Sequence, residues 1–396
     1  MNRYILPENW IRYDLVAVST QLTAAKAAVL SLTTIPYQRS WFNELQVVQL
    51  KREVAGTSRI EGAEFTEQEL DAAMQESPER LYTRSQRQAA AATSVYQWIA
   101  KLPGDFPIDK ALILHLHRLL ITGADDDHCP PGILRSRDEN VTFGMPQHRG
   151  VEGGLECERA FDELCRAIRE EISGHDPLIQ ALTVHYHFAA MHPFLDGNGR
   201  TARVLEALLL QRSGLRDILI AMSNYYYEEK ASYLSNLAKV RADDHDLTSF
   251  LLFGLKGIEL QCGRVFDEIR KNVAKALYRN LMYDLFNRLK TVRKRVIAER
   301  QIKILTLLLE SDLTLEVLLY RTSNLYGSLK NPFKALIRDV NGLIRLKAVG
   351  FEKLETGTYR LFVRLEWPTE ITETEFFKQI KDMPKARTYG FLDYND

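Results

Sequence analysis

The sequence predicts a mainly α-helical protein with a short β-hairpin flap inside the helical part and a small α+β domain at the C-terminal end. Three observations predict it. Apolar residues recur every three or four positions through most of residues 10–260, the period of helices with one buried face. That pattern lapses between Leu134 and Leu155, where β-prone Val141-Thr142-Phe143 stands among Gly and Pro. Past residue 300, short helical stretches give way to Tyr359, Leu361, Val363 and Leu365 alternating with Arg360, Phe362 and Arg364.

The elements follow in order. Leu15, Val18, Leu22, Ala25, Val29 and Leu32 mark a first helix over 10–32, and a second runs from Glu44 to Val54. A third spans Thr83 to Lys101 and stops at the Leu102-Pro103-Gly104 breaker. Residues 109–121 form a strongly apolar helix before the turn-rich stretch Gly123 to Gly132. Helices resume over 156–173 and 177–190, and another begins at Thr201. From Arg264 to Lys303 there are twelve Lys or Arg against four Asp or Glu, on a helical pattern. Residues 302–310 and 314–321 read as short helices. Asn331-Pro332 then opens a further helix, Asn as cap and Pro at the first position. A hairpin turning at Thr356-Gly357 completes the element order of a winged helix. The expected domains are 1–100, 101–260 as the core, 261–300 as a basic helical linker, and 301–396.

Composition narrows the function classes. Length is 396 residues with 45% hydrophobic and 26% charged, and Lys+Arg balances Asp+Glu at 52 each. A protein dedicated over its whole surface to nucleic acid is disfavoured, although a local basic patch is compatible with neutrality. Cys129, Cys157, Cys165 and Cys262 are too few and too scattered for a disulfide framework, and none forms a CxxC pair. The opening MNRYILPENW has no apolar signal region, and no uninterrupted apolar run approaches the ~18 residues of a membrane span. The expectation is a cytoplasmic protein without membrane contact.

Residues 192–203, HPFLDGNGRTAR, concentrate the chemistry. Gly197-Asn198-Gly199 lets backbone N–H groups approach an anion where a helix begins, and the helix N-terminus adds its positive end. Arg200 and Arg203 lie three apart, hence on one face, and offer forked donors to further phosphate oxygens. Asp196 can hold a divalent cation such as Mg²⁺, which takes one carboxylate plus phosphates and water. His192 titrates near neutrality and can take a proton from a hydroxyl nucleophile.

The string resembles the signature H-x-F-x-D/E-G-N-G-R-x-x-R of the Fic family at every defined position. The resemblance implies a protein adenylyltransferase that moves AMP from ATP to a Ser, Thr or Tyr hydroxyl of a protein target, itself included. It implies His192 as general base, Asp196 as Mg²⁺ ligand, Gly197, Asn198 and Gly199 as phosphate cradle, and Arg200 and Arg203 on the β and γ phosphates. Related kinases carry Lys at the position of Gly199, which argues against phosphoryl transfer. Thr57-Ser-Arg-Ile-Glu61-Gly62 resembles the family's inhibitory motif S/T-x-x-x-E-G/N; Glu61 would pair with Arg203 and take the γ-phosphate position. Gly132-Ile-Leu-Arg135 with Val141-Thr-Phe143-Gly resembles the flap segment, in which Val141 and Phe143 would cover the nucleotide and align a target by strand addition. The stretch after it, Gln147 to Gly154, departs from the Pro-Pro pair of relatives.

Other polar clusters read as structure. His115, His117, His185 and His187 fall on helices, and Asp125-Asp-Asp-His-Cys129 reads as a solvated loop. Tyr225, Tyr226, Tyr227 and Tyr233 read as core packing, with the wall of an adenine pocket as the other reading. A homo-oligomer is compatible with the sequence. The rival function is a DNA-binding regulator acting through the C-terminal domain; removal of AMP or transfer of another nucleotide would use the same site.

Overall fold

The computed structural model describes residues 3–35, 39–144, 146–215, 218–289 and 292–382. It divides into two compact units, residues 1–268 and 269–396, of which 383–396 lie outside the described residues.

The first unit is helical. α1 (Leu15–Thr34) starts where the Asp14 carboxylate accepts the N–H groups of Val16 and Ala17. By length and composition α1 is apolar enough to cross a membrane, contrary to the reading based on uninterrupted runs. Its polar residues break the run yet leave the mean hydropathy at 1.5, and two of them have partners: Gln21 bonds Glu259 at 2.8 Å and Lys26 pairs with Asp176 at 2.7 Å. Val18, Ala25, Val29 and Leu32 are buried.

α2 (Arg39–Ile60) is longer than its sequence pattern and packs against α4 (Arg84–Ile99). The short α3 (Glu67–Ala73) and α4 both begin with capping boxes, Thr66 with Glu69 and Thr83 with Gln86. α5 (Lys110–Ile121) buries Leu112, Ile113, Leu116 and Leu120. The flap follows as β1 (Thr142–Phe143) and β2 (His148–Arg149), antiparallel with Phe143 opposite His148. α6 (Leu155–Glu170) then leads to α7 (Pro177–Met191).

α7 is the centre of the unit. Residues from Leu178 through Phe188 are buried all around the helix, as expected of a core helix flanked on every side. α8 (Asn198–Leu210) packs along it. α8 starts at Asn198 and not at Thr201, so Asn198, Gly199 and Arg200 form its first turn. α9 (Met222–Glu228), α10 (Lys230–Ala242) and the 40-residue α11 (Thr248–Asn287) complete the helices; the boundary between units falls inside α11.

The second unit contains α12 (Val292–Glu310), β3 (Leu313–Thr314), α13 (Leu315–Arg321), α14 (Ser323–Tyr326), α15 (Pro332–Arg345), β4 (Val349–Lys353) and β5 (Tyr359–Val363). The small helices α16 (Trp367–Glu370) and α17 (Glu373–Asp382) follow. Its sheet is antiparallel in the order β3-β5-β4. Asn331 caps α15 by accepting the Lys334 N–H, with Pro332 at the first position. Leu305, Leu318, Leu336, Val340, Leu343, Leu361 and Trp367 share its core. The basic stretch is thus occupied by the end of α11 and the start of α12.

Candidate active site

The signature loop joins α7 to α8, and local packing fixes its shape. His192 caps α7 in the left-handed region, φ 54° and ψ 60°. Arg135, 2% exposed, laces the loop to the flap's flanks. Its Nε donates to His192 O at 2.8 Å, and its other nitrogens reach Glu139 O and Val151 O. Asn198 folds back on Phe194, accepting its N–H at 2.9 Å and donating to its carbonyl at 2.8 Å. The Asn198 amide is thereby spent inside the loop, and what it can offer an anion is its backbone N–H. With those of Gly199 and Arg200 it belongs to the first helical turn, where N–H groups have no partner within the helix.

His117 is more than a helix residue. Its ring stacks on Phe194 with centroids 3.5 Å apart, Nδ1 accepts the Gly132 N–H at 2.9 Å, and Nε2 donates to Asp196 O at 3.0 Å. One imidazole therefore ties the loop before the flap to the loop before α8.

His192 is set up as a base. Its Nδ1 lies 2.8 Å from Ala189 O; a carbonyl only accepts, so Nδ1 carries the proton and Nε2 keeps its lone pair. Phe143 from the flap stacks on the ring, 3.7 Å between centroids and 11° between planes. Burial pushes the His192 pKa down to about 4; Arg135 adds to the fall while Glu61 and Asp196 oppose it. At neutral pH the ring is uncharged and able to accept a proton.

Two ion networks hold the arginines. Arg200, 2% exposed, donates to Asp125 at 2.5 Å and lies 3.4 Å from Asp196 Oδ1. Arg84 donates to the other Asp125 oxygen at 2.5 Å and to Asp196 Oδ2 at 3.1 Å, and Gln88 also donates to Asp125. Asp125 is fully buried. This corrects the solvated-loop reading: Asp125 turns inward to satisfy two guanidinium groups, Cys129 is buried as well, and Asp126, Asp127 and His128 face water.

The second network joins α8 to the end of α2. Arg203 donates to Thr57 Oγ1 at 2.8 Å and to Glu61 Oε1 at 2.6 Å. α2 ends in a Schellman turn: Ala63 N–H bonds Ser58 O, Gly62 N–H bonds Arg59 O, and Gly62 has φ 90°. Gly at that position ends the helix directly after Glu61 and leaves its carboxylate over α8. Gly199 makes the approach possible, since a Cβ there would stand 2.5 Å from Glu61 Oε1. Burial alone would raise the Glu61 pKa, but Arg203 and Arg200 outweigh it and hold the carboxyl below its usual range.

Among the described residues no group of three His, Cys, Asp or Glu side chains is arranged to hold a metal. Asp196 presents a single carboxylate beside the start of α8. That donor set fits Mg²⁺ held jointly by one carboxylate, nucleotide phosphates and water.

The structure brings together His192, Asp196, Gly197, Asn198, Gly199, Arg200, Arg203 and Glu61, with Phe143 over His192. Val141 lies just before β1, where its carbonyl accepts the Gly150 N–H at 3.4 Å. Tyr225, Tyr226 and Tyr233 are buried in the core; Tyr226 stacks on Tyr233 and donates to Glu206, and Tyr227 is exposed. Arg84 was not singled out by sequence reasoning, His117 and Asp125 were read there as structure only, and Thr57 was given no role of its own. Thr57 was within reach of it, since it opens the motif that ends in Glu61.

This helical unit combines an anion-ready helix start, a neutral histidine and two buried arginines. Residues 107–210 match the model of the Fic/DOC family. It is 35% identical over 158 residues to protein adenylyltransferase fic-1 of Caenorhabditis briggsae, covering 40% of this chain and 29% of the relative. Against the Caenorhabditis elegans fic-1 the identity is 36% over the same length, 40% of this chain and 28% of that one. The chain thus spans less than a third of the length of these curated relatives. Among solved structures, Fic-1 (residues 134–508) of C. elegans superposes with a TM-score of 0.54 at 19% identity, covering 65% of this chain and 74% of that one. A Fic family protein from Desulfovibrio desulfuricans G20 gives 0.51 at 17% identity, covering 92% and 98%.

Proposed function

We propose that the protein transfers AMP from ATP to a hydroxyl of a protein target, releasing diphosphate, and that Glu61 restrains it. The observation that carries this reading is a neutral His192 with a free Nε2 beside a helix start bearing Arg200 and Arg203. His192 Nε2 takes the proton of the attacking hydroxyl. The N–H groups of α8 and the two guanidinium groups orient the triphosphate so that its α-phosphorus lies in line with that hydroxyl. Asp196 would hold Mg²⁺, which supplies charge neutralisation for the phosphates.

Glu61 occupies the guanidinium that would otherwise grip the terminal phosphate. In that state Arg203 is unavailable, so the triphosphate is not aligned. The flap suits an extended target. Tyr4 N–H donates to Arg149 O at 2.9 Å, and Arg3 forms a bridge with Arg149. β2 is therefore flanked on both sides, and an incoming strand would add along β1.

The similarity to named adenylyltransferases supports the same reading. The element order of the second unit and its three-stranded antiparallel sheet support reading it as a winged helix, a module that serves DNA contact or protein contact. A reducing compartment is in keeping with four cysteines that are all free and buried. The test is incubation with Mg²⁺ and ATP labelled at the α-phosphate, with and without cell lysate. Label on the protein or on lysate bands supports nucleotidyl transfer; label arriving only from the γ-phosphate would replace it with kinase chemistry.

A further inference from the structure

α8 turns a second face, Arg203, Glu206, Ala207 and Leu210, to a cavity of about 380 Å³. The cavity shares only Arg203 with the residues of the cleft. Leu50 and Glu53 of α2 form one wall, Tyr96 and Ile99 of α4 another, and α9 closes it with Met222 and Ser223. Its size is that of a small-molecule pocket, and most of its lining is apolar.

Two carboxylates border this space. Glu53 is 1% exposed and accepts from Tyr96 Oη at 2.6 Å, from Ser223 N–H at 2.8 Å and from the Ser223 hydroxyl. All three donors are neutral. Glu206, also 1% exposed, accepts from Tyr226 Oη at 2.9 Å and contacts His185. The cations on the lining are Arg203, already committed to Thr57 and Glu61, and the solvent-exposed Lys101. A buried carboxylate held only by neutral donors is costly to ionise. Burial accordingly pushes the Glu53 pKa up to about 7, against the pull of its hydrogen bonds.

We propose that this cavity binds a small organic cation, a protonated amine on an apolar body, and that the ligand locks α2 in its inhibitory position. The ammonium group would supply the counter-charge that Glu53 lacks, Glu206 being in contact with His185, and the apolar body would fill the rest. Glu53 lies two turns before Glu61 on the same helix. α2 is seated hard on α9: a Cβ on Gly56 would come within 2.4 Å of the Ser223 backbone. A ligand touching both α2 and α8 is complete only while α2 is docked, so its binding favours the docked state. The locking half rests on the nucleotidyl-transfer reading; the binding half does not.

The test uses the full chain, titrated by calorimetry with phenethylamine and with its neutral counterpart 2-phenylethanol. The amine is expected to bind at least ~10-fold more tightly than the alcohol, a difference that Glu53→Gln removes. Leu210→Trp, which fills the space without touching the carboxylates, should abolish binding of both and guards against a Glu53→Gln protein that fails to fold. Amine binding should be stronger at about pH 8 than at about pH 6, because Glu53 ionises in between. The groups facing it are Tyr96, Tyr226, Glu206 and Ser223, with Arg203 on the same lining, and both tyrosines stay protonated at both values because burial holds their pKa well above the usual range. Hydrogen exchange of residues 50–61 should slow with amine bound. No binding tighter than ~1 mM, or equal affinity for amine and alcohol, overturns the site. Binding without slower exchange in α2 overturns the lock. A protein that binds the amine yet never transfers AMP would sink the proposed function and leave the site standing.

Discussion

Arg203 and Glu61, 142 residues apart in the chain, meet at 2.6 Å, with Arg203 2% exposed. About a third of the Glu61 side chain still reaches solvent. The contact is therefore a buried cation covered by a carboxylate at the lip of the cleft, and the carboxylate is the part that can leave. Thr57 accepts separately from Arg203 Nε at 2.8 Å, a contact that does not pass through Glu61.

Replacing His192 with Ala should lower transfer by ~10²–10⁴-fold, the usual worth of a general base. The side chain bonds the Ala189 carbonyl, stacks on the Phe143 ring and is only partly buried, so the melting temperature should change little. Circular dichroism and an α-label assay on the same preparation check both halves. A folded His192→Ala protein with normal turnover would remove the base from the mechanism.

The low pKa of His192 gives a pH prediction with a definite sign. The base works when neutral, and with a pKa of about 4 it stays neutral well below the ordinary histidine range. Transfer by a released variant should therefore be level from about pH 8 to about pH 5.5, where an ordinary imidazole of pKa ~6.5 would be ~90% protonated. Phe143→Ala opens the ring to water and should move the acid limb upward. A limb near pH 6.5 that Phe143→Ala does not shift would mean the stacking does not tune this base.

Much of this site was legible in the sequence because its chemistry is contiguous. His192 through Arg203 lie within two turns and a loop, so spacing alone places them together. Glu61 was reachable only through a motif, since nothing local tells a carboxylate at a helix end which arginine it will meet. Asp125 was misread for a physical reason: three adjacent acids look solvated until the fold brings Arg84 and Arg200 to one of them. α8 began a turn earlier than expected because Gly197, with φ 74°, caps it, and periodicity does not register the first turn of a helix. α2 exceeded its pattern because both its faces are partly covered, which blurs the apolar stripe.

Asp125→Ala should cost ~3–5 kcal/mol, the usual penalty for stranding one member of a buried ion pair. Arg200 would be left buried without its nearest counter-charge. Arg84→Ala, which removes a half-exposed partner, should cost ~1 kcal/mol or less. Urea unfolding of the two variants beside wild type measures the contrast. Equal costs would show that Asp125 is not what holds Arg200.

The C-terminal unit makes a separate prediction. If its basic helices contact DNA, affinity should fall steeply with salt as phosphate-bound counterions are released. Gel shifts of the full chain over a salt series report this directly. Absence of any shift at the lowest salt assigns the unit to protein contact.

The central claim is that Glu61 holds Arg203 away from the nucleotide, and automodification by wild type, Glu61→Gly and Glu61→Gly with Arg203→Ala tests it most directly. A charged hydrogen bond returned to the γ-phosphate is worth ~1.5–3 kcal/mol, so Glu61→Gly should raise AMP incorporation by ~10–100-fold. The double variant should fall back to the wild-type level or below, because the freed clamp is gone. A Glu61→Gly protein no more active than wild type, or a double variant as active as the single, would contradict the account.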